Sequence, residues 1–258
     1  MSASRRRRRA LEVTLTLMAP VLLLVLWEAF SRAGKLDPIF WPPPSEIWPT
    51  FWHLVRNEDL LGDIRISLFR ILAGFVLGSV PAVALGLAMG MFWPVQVVMM
   101  PVATAIYAIP KIAILPLIII AFGIGELSKV VIVALSIFFL VALNTMAGVV
   151  AIDRAYRDVA RNLGAGPVAH FWTVALPGAL PSIFTGLRLG LGFALIVIVG
   201  TEFLSPGRGI GYLIWESYQT LQIERMYVGL IVTGLMGWLL SLAMEALERL
   251  VLPWHTSS

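Results

Sequence analysis

Six apolar segments, each about as long as a bilayer is thick, dominate this 258-residue chain and leave few folds open to it. They cover residues 11–30, 67–91, 95–122, 127–150, 182–204 and 226–247. An apolar run of roughly 20 residues suffices to cross the hydrocarbon of a membrane as a helix. Only 13% of the residues are charged, about half the share in soluble domains. The sequence therefore predicts an all-α, polytopic membrane protein with six transmembrane helices.

The third apolar segment is the least regular of the six. Pro101, Pro110 and Pro116 interrupt it, and Lys111 lies within it. Proline removes a backbone donor and kinks a helix, which a membrane tolerates where the broken backbone faces protein or a cavity. The segment is therefore either one kinked span or two short ones.

Positive charge indicates the orientation of the chain. Residues 5–9 are all arginine and directly precede the first apolar segment. By the positive-inside rule, we expect residues 1–10 to be a basic, cytoplasmic N-terminus and not a nucleic-acid-binding arm. A single third span would also place the loop at 151–181 in the cytoplasm, with its arginines. Trp27 and Phe30 disfavour signal-peptide cleavage, so we expect residues 11–258 to form one transmembrane domain.

The loop after the first segment has a distinctive composition. It contains FWPPPSEIWPTFW, rich in the proline that opposes regular helix and in the tryptophan that prefers the membrane interface. We interpret it as an interfacial connector, with a specific contact role as the alternative.

Three pairs of glycines four residues apart recur in two of the apolar segments. The pairs are Gly74 with Gly78, Gly86 with Gly90, and Gly186 with Gly190. Such spacing lets helix backbones approach closely and predicts a compact helical bundle. Spacing alone leaves open whether the contacts lie within one chain or between two.

The loop at 151–181 is a long, charged interruption between two of the apolar segments. Ala155, Tyr156, Val159, Ala160 and Leu163 recur with helical period on one face. The other face carries charge, from Arg154, Arg157, Asp158 and Arg161. This pattern predicts an amphipathic cytoplasmic helix that ends at Gly164, because glycine adopts a left-handed C-cap without strain. A plain surface helix joining two spans is the alternative.

The spacing within this loop resembles a known motif. Asp158, Ala160 and Gly164, followed after nine residues by Val174, Leu176 and Pro177, are similar to the Glu-Ala-Ala motif of permease subunits of ATP-binding-cassette importers. That motif reads Glu-Ala-Ala, three residues, Gly, nine residues, Ile-x-Leu-Pro. This chain departs from it at Asp158, Val159 and Val174.

The resemblance extends to other parts of the chain. SLFRILAGFVLG, AIPKIAILPLIIIAFGIGELSKV, LPSIFTGLRLGLGFALIVIVGTEFL and GIGYLIWES look like the nitrate, sulfonate and taurine branch of these permeases. The resemblance implies a type I importer permease fold in the bacterial inner membrane. It also implies import of a small anion, with two separate ATPase subunits, an extracytoplasmic binding protein and a second copy of the chain as partners.

The resemblance assigns contact with the ATPase to residues of the loop, which serves as the coupling helix. These residues are Asp158, Val159, Ala160, Gly164, Ala165, Val174, Leu176 and Pro177. The chain has no Gly-rich phosphate loop ending in Lys-Ser or Lys-Thr, so we expect it not to be an ATPase itself.

Polar side chains within apolar segments are candidates for the substrate path, because charge at membrane depth is costly. The candidates are Lys111, Asn144, Arg188 and Glu202. Arg188 can instead extend to the cytoplasmic interface, and Asn144 can instead hydrogen-bond a neighbouring helix.

Other functional classes have weaker support from the sequence. An ion- or proton-coupled secondary transporter, the main alternative, normally shows charged relays and repeated halves, and we find neither. No cysteine is present and the three histidines show no ligand spacing, so we expect no metal site and no cofactor. An intramembrane enzyme would need paired aspartates, a Ser-His pair or a metal cluster.

Overall fold

The computed structural model describes residues 3–205 and 207–253, with side chains described for Leu15 and from Met18 onward. The part described is helical and contains no strand. Its helices are α1 (Ala3–Arg32), α2 (Pro44–Asn57), α3 (Leu60–Met91), α4 (Trp93–Ala108), α5 (Lys111–Phe122), α6 (Glu126–Val150), α7 (Arg154–Asn162), α8 (Pro167–His170), α9 (Leu176–Leu204), α10 (Ile210–Gln219) and α11 (Ile223–Val251). A π-helical turn, Phe171–Ala175, joins α8 to α9. The all-α prediction is confirmed. The side chains of the arginines at 5–9 lie outside the described ones.

Within the described residues, four helices are long and apolar enough to cross a membrane: α3, α6, α11, and the continuous helix Pro167–Leu204 that contains α9. They coincide with the second, fourth, sixth and fifth predicted segments. The third segment forms α4 and α5, which meet at 97° and together make a broken span or a re-entrant loop. Pro110 is the N-cap of α5, directly at this break. The first predicted segment lies within α1, which is not among these four helices, so a total of six spans stays a prediction.

By packing, the chain divides into two compact units. One comprises residues up to 61 together with 213–231, and the other comprises 62–212 together with residues from 232 onward. The predicted single domain over 11–258 stays a prediction.

Helix α6 is the central element of the second unit. Glycines of α3 lie against one side of it. An added Cβ at Gly74 would be 2.6 Å from Val133, and one at Gly78 would be 2.8 Å from Ile137. Glycine of α9 lies against another side, where a Cβ at Gly186 would be 2.8 Å from Asn144. The predicted close approach is therefore found, and it occurs within one chain.

The first unit joins α1, α2 and the start of α11. The Trp27 and Tyr227 rings lie 5.2 Å apart, and the Tyr227 hydroxyl donates to the Phe40 carbonyl at 3.1 Å. The Arg225 guanidinium pairs with the Glu58 carboxylate at 2.5 Å. These contacts hold the connector between α1 and α3 in place.

The proline-rich connector is more helical than the sequence suggests. Pro44 occupies the first turn of α2, where a backbone N–H would have no helical partner, so proline is tolerated there. Pro49 lies inside the helix. Ile47 and Leu54 are buried on one face, and Trp48 and Trp52 are exposed on another. The connector is thus an amphipathic helix, and its interfacial role stays a prediction.

Candidate functional site

The loop between α6 and α9 begins with a well-capped helix. The Asp153 carboxylate accepts a hydrogen bond from the Ala155 amide at 2.9 Å, which satisfies an orphan donor at the start of α7. Arg157 donates to the Val149 carbonyl at 2.7 Å, at the end of α6. A cation at this position also complements the helix dipole of α6. These bonds fix α7 against the end of the preceding span.

Gly164 terminates α7 in the manner that the sequence predicts. Its φ is +75°, the left-handed region. The Gly164 amide donates to the Arg161 carbonyl at 3.0 Å, and the Ala165 amide donates to the Ala160 carbonyl at 3.0 Å. This pair of bonds is the Schellman arrangement, in which glycine is preferred because a Cβ would strain the turn. Apart from its chain neighbours, no described residue comes within 4 Å of a Cβ built on Gly164.

The faces of α7 differ from the simplest expectation for an amphipathic helix. Tyr156, Val159 and Leu163 are exposed by 69%, 57% and 82%, and only Ala160 of the apolar face is buried. Arg157, predicted on the polar face, is instead half-buried, because its guanidinium reaches the end of α6. We call Tyr156, Val159 and Leu163 the apolar patch. Leu163 therefore does not anchor the loop within this chain.

The second half of the loop runs directly into the longest helix. The π-helical turn Phe171–Ala175 inserts a wider turn before α9, and Ala175 is fully buried. Val174 and Pro177 line a cleft of about 390 Å³ between α7 and the start of α9, together with Ile152, Asp153, Tyr156, Thr173, Gly178 and Pro181. The cleft thus separates the start of α7 from the second half of the predicted motif, and Asp158, Ala160 and Gly164 do not line it.

The coupling residues that the resemblance implies fall into three environments. Asp158, Val159 and Gly164 are exposed, and Ala160 is buried. The others are half-buried: Ala165, Val174, Leu176 and Pro177. Their contact with an ATPase stays a prediction.

Lys111 lies at the break between α4 and α5. Its ammonium donates to the carbonyls of Ile106 at 2.6 Å, Ile109 at 2.7 Å and Tyr107 at 3.1 Å. Lys111 therefore caps the end of α4, where helical carbonyls lack partners. Its role in the substrate path stays a prediction.

Two other path candidates make local contacts. Asn144 donates its side-chain amide to the Leu140 carbonyl of its own helix at 2.8 Å. We expected a bond to a neighbouring helix, but the close approach of Gly186 instead leaves the side chain packed at the α6–α9 contact. Arg188 pairs with Glu248 of α11. Whether either lines the path stays a prediction.

Glu202, the fourth path candidate, lies in a buried ionic cluster at the opposite end of α6 from α7. Its carboxylate accepts from the Ser67 hydroxyl at 2.8 Å, the Arg70 guanidinium at 2.6 Å and the Gly211 amide at 2.8 Å. Arg70 also pairs with Glu126 at 2.5 Å. Arg70 and Glu202 are 1% and 0% exposed.

The sequence reasoning missed Arg70. The signal was present, because Arg70 is a charged residue within the second apolar segment, of which it is the fourth residue. A charge at that depth needs a partner. Among the described residues, no group of His, Cys, Asp or Glu is arranged to hold a metal ion.

With this geometry established, similarity to known proteins identifies the family. A family model described as a binding-protein-dependent transport system inner membrane component matches residues 71–255. The chain belongs to this family. The permease is 32% identical to a taurine transport system permease protein of Escherichia coli over 95% of its own length and 90% of that protein.

Two further relatives carry other anions in their names. The permease is 32% identical to a putative aliphatic sulfonates transport permease protein of Bacillus subtilis, covering 93% of its own length and 87% of that protein. It is 31% identical to a nitrate import permease protein of Synechocystis, covering 92% of its own length and 88% of that protein. The resemblance to the nitrate, sulfonate and taurine branch is confirmed.

A solved structure confirms the fold. A chain of the MetNI methionine ABC transporter in an inward-facing conformation superposes with a TM-score of 0.64, covering 79% of the permease and 98% of that chain. Identity is 18%, so the likeness concerns the fold alone. It confirms the predicted type I importer permease fold, and the permease is a multi-pass membrane protein.

Proposed function

We propose that this permease forms the translocation path of an ATP-driven importer for a small anion, of the nitrate, sulfonate or taurine class. An extracytoplasmic binding protein delivers the anion, and separate ATPase subunits drive the cycle. The ATPase contacts the coupling loop 153–177. The permease itself does not hydrolyse ATP.

The apolar patch on α7 carries this proposal. Tyr156, Val159 and Leu163 are large apolar side chains, each more than half exposed. They lie on a capped helix between two spans, and the rest of the described chain leaves them exposed. A cluster of exposed apolar side chains on a rigid element is typical of a protein-binding surface.

Reconstitution tests the proposed function. The permease, purified with its co-purifying ATPase, is placed in proteoliposomes with ATP on the ATPase side and the co-purifying binding protein on the other. We expect ATP-dependent uptake of one of three labelled probes, taurine, ethanesulfonate or nitrate. Uptake that follows an imposed ion or proton gradient without ATP would contradict the proposal.

We also propose that the N-terminus and the coupling loop are cytoplasmic, in the inner membrane. Because the chain has no cysteine, single cysteines report topology cleanly. We expect a cysteine near Arg157, replacing the exposed Arg154, to resist an impermeant thiol reagent in intact cells and to react after permeabilisation. A cysteine replacing Asn57, at the end of α2, should react in intact cells. The reverse pattern would invert the topology.

Stoichiometry gives a further prediction. One chain supplies one coupling helix, and a closing ATPase pair has two grooves to fill, so we expect two copies of this permease with two ATPase subunits. Native mass spectrometry of the solubilised complex measures this directly. A complex with one copy, or with a second and different permease chain, would contradict the homodimer.

A further inference from the structure

Helix α2 presents three different faces around its axis. Ile47 and Leu54, seven residues apart, are buried, and Trp48 and Trp52, one turn apart, are exposed. A third face is polar and exposed, with Glu46, His53 and Asn57. At 100° per residue, the three faces lie roughly a third of the circumference apart. A helix that only joined two spans in water would need no exposed aromatic face.

The aromatic residues of α2 form one continuous surface. The Trp48 ring centre lies 5.8 Å from that of Phe51 and 5.7 Å from that of Trp52, and the Phe51 and Trp52 centres are 5.4 Å apart. We call these three residues the aromatic face. Exposed apolar surface of this kind marks contact with another protein or with a membrane. The depth of α2 in the membrane distinguishes these two partners.

The first turns of α11 set the depth of α2. Helix α11 is long and apolar enough to cross a membrane, and its residues 226–244 carry no charge. A run of about 20 such residues crosses the hydrocarbon, which therefore begins next to Arg225. The Arg225 guanidinium pairs at 2.5 Å with Glu58, the residue directly after α2. The Tyr227 hydroxyl donates at 3.1 Å to the carbonyl of Phe40, shortly before α2, so both ends of this segment are held at the membrane boundary.

The same two contacts indicate the direction of α2. They hold both ends of the segment 40–58, and their partners on α11 differ in depth by only about 3 Å, which is two rises of a helix. Helix α2 has 14 residues, so it is about 21 Å long. Two ends at nearly one depth favour a helix that lies across α11, close to the membrane plane, over one that runs along it.

Arg56 lies at the border between the aromatic and polar faces. Its guanidinium carbon is 5.7 Å from the centre of the Trp52 ring, a cation–π geometry. Tryptophan favours the level of the lipid headgroups, and an arginine beside it extends its charge toward the phosphates and water. The order of side chains around α2, from buried through aromatic to cationic and polar, is that of a helix lying in the membrane interface.

We propose that α2 is an in-plane membrane anchor whose aromatic face lies in phospholipid, at the boundary between headgroups and hydrocarbon, and whose polar face lies in water. Phospholipid is the occupant because a soluble protein would have to displace lipid to reach a helix bound at the level of Tyr227. The proposed topology makes this leaflet the extracytoplasmic one. The lipid contact is independent of the proposed transport function and does not depend on which leaflet is involved.

Spin labels on single cysteines measure the depth of each face. The cysteine-free permease, with its co-purifying ATPase, is placed in vesicles of phosphatidylcholine and phosphatidylglycerol in equal amounts. Collision rates with oxygen and with a water-soluble nickel chelate give the depth of each label. We expect labels replacing Trp48 and Trp52 to lie about 5–10 Å below the phosphates. Labels replacing Glu46 and His53, the matched controls on the same helix, should lie at or above the phosphates.

Three results would overturn the anchor. The first is an equal depth for all four labels. The second is that the labels at Trp48 and Trp52 are closed to both reagents, because protein then covers the aromatic face. The third is that these two labels are open to water until the extracytoplasmic binding protein is added, which would assign the face to that protein.

A charge placed on the aromatic face tests whether this face holds α2 in lipid. In Trp52→Glu, a label replacing Trp48 should rise by about 5 Å, to the level of the phosphates. His53→Glu adds the same charge to the polar face and should leave the depth of that label unchanged. Both replaced side chains are exposed, so the buried contacts of Ile47 and Leu54 remain. The same label depth in both variants would overturn the anchoring role of the aromatic face.

Discussion

Gly86→Ala is expected to destabilise the permease by about 3 kcal/mol or more, at or above the upper end of the usual cost of overpacking. The added Cβ would meet the Ala142 carbonyl oxygen and would lie 2.6 Å from the Cβ of Thr145, both on α6. A backbone carbonyl cannot rotate away as a side chain can. The two helices must therefore separate along the contact that forms the core of the second unit.

The matched control for this substitution is Gly234→Ala in α11. An added Cβ there meets nothing within 4 Å, and alanine favours a helix over glycine by about 1 kcal/mol. Heating each detergent-solubilised variant and measuring the fraction that remains monodisperse gives its thermal midpoint. We expect the midpoint to fall for Gly86→Ala and to rise slightly for Gly234→Ala. Equal midpoints would contradict the packing of α3 on α6.

Gly164→Val is expected to abolish transport while the permease still inserts into the membrane. The left-handed φ of +75° costs an L residue about 1–2 kcal/mol, and a β-branched side chain more, so the Schellman turn opens. The end of α7, with the exposed Leu163, then loses its fixed position. We expect the ATPase to dissociate or to lose its stimulation by the binding protein.

Three companion variants distinguish backbone strain at Gly164 from the effect of an added side chain on the surface that contacts the ATPase. Gly166→Val adds the same side chain two residues away, where φ is −70° and a β-branched residue is unstrained, and should retain most activity. Gly164→Asn adds a side chain that tolerates the left-handed region and should be intermediate. Asp158→Ala, which removes one exposed acceptor, should act weakly in the same direction as Gly164→Val. If Gly164→Val transports at the wild-type rate in an assembled complex, the loop only connects two spans and does not couple transport to the ATPase.

The apolar runs and the glycine spacing predicted much of the fold, because membrane helices must be long, apolar and closely packed. The end of α7 was also predictable, since Gly164 is the residue type that a left-handed cap requires. The sequence could not show whether the glycine rows meet within one chain, because the same spacing serves both cases. It also could not show that Pro44 and Pro49 lie in a helix, since that depends on where the helix begins.

The polar sites were harder to predict, because a polar residue in an apolar segment has several possible partners. Glu202 was recognised as unusual, but its partners Ser67 and Arg70 are more than 130 positions away in the chain. Likewise, periodicity placed Arg157 on the polar face of α7. In the structure it is half-buried, because its guanidinium donates to the Val149 carbonyl at the end of α6. Long-range pairing of this kind has no local signature in the sequence.

Photo-crosslinking from Leu163 tests the central claim that the loop docks on an ATPase. Benzoylphenylalanine replaces Leu163, which is 82% exposed on the apolar patch, and in a control replaces Leu221, which is 77% exposed between α10 and α11. After irradiation of intact membranes, we predict that the Leu163 position alone captures a subunit whose peptides contain an ATP-binding phosphate loop. Capture of that subunit from Leu221 and not from Leu163, or from neither, would contradict the account.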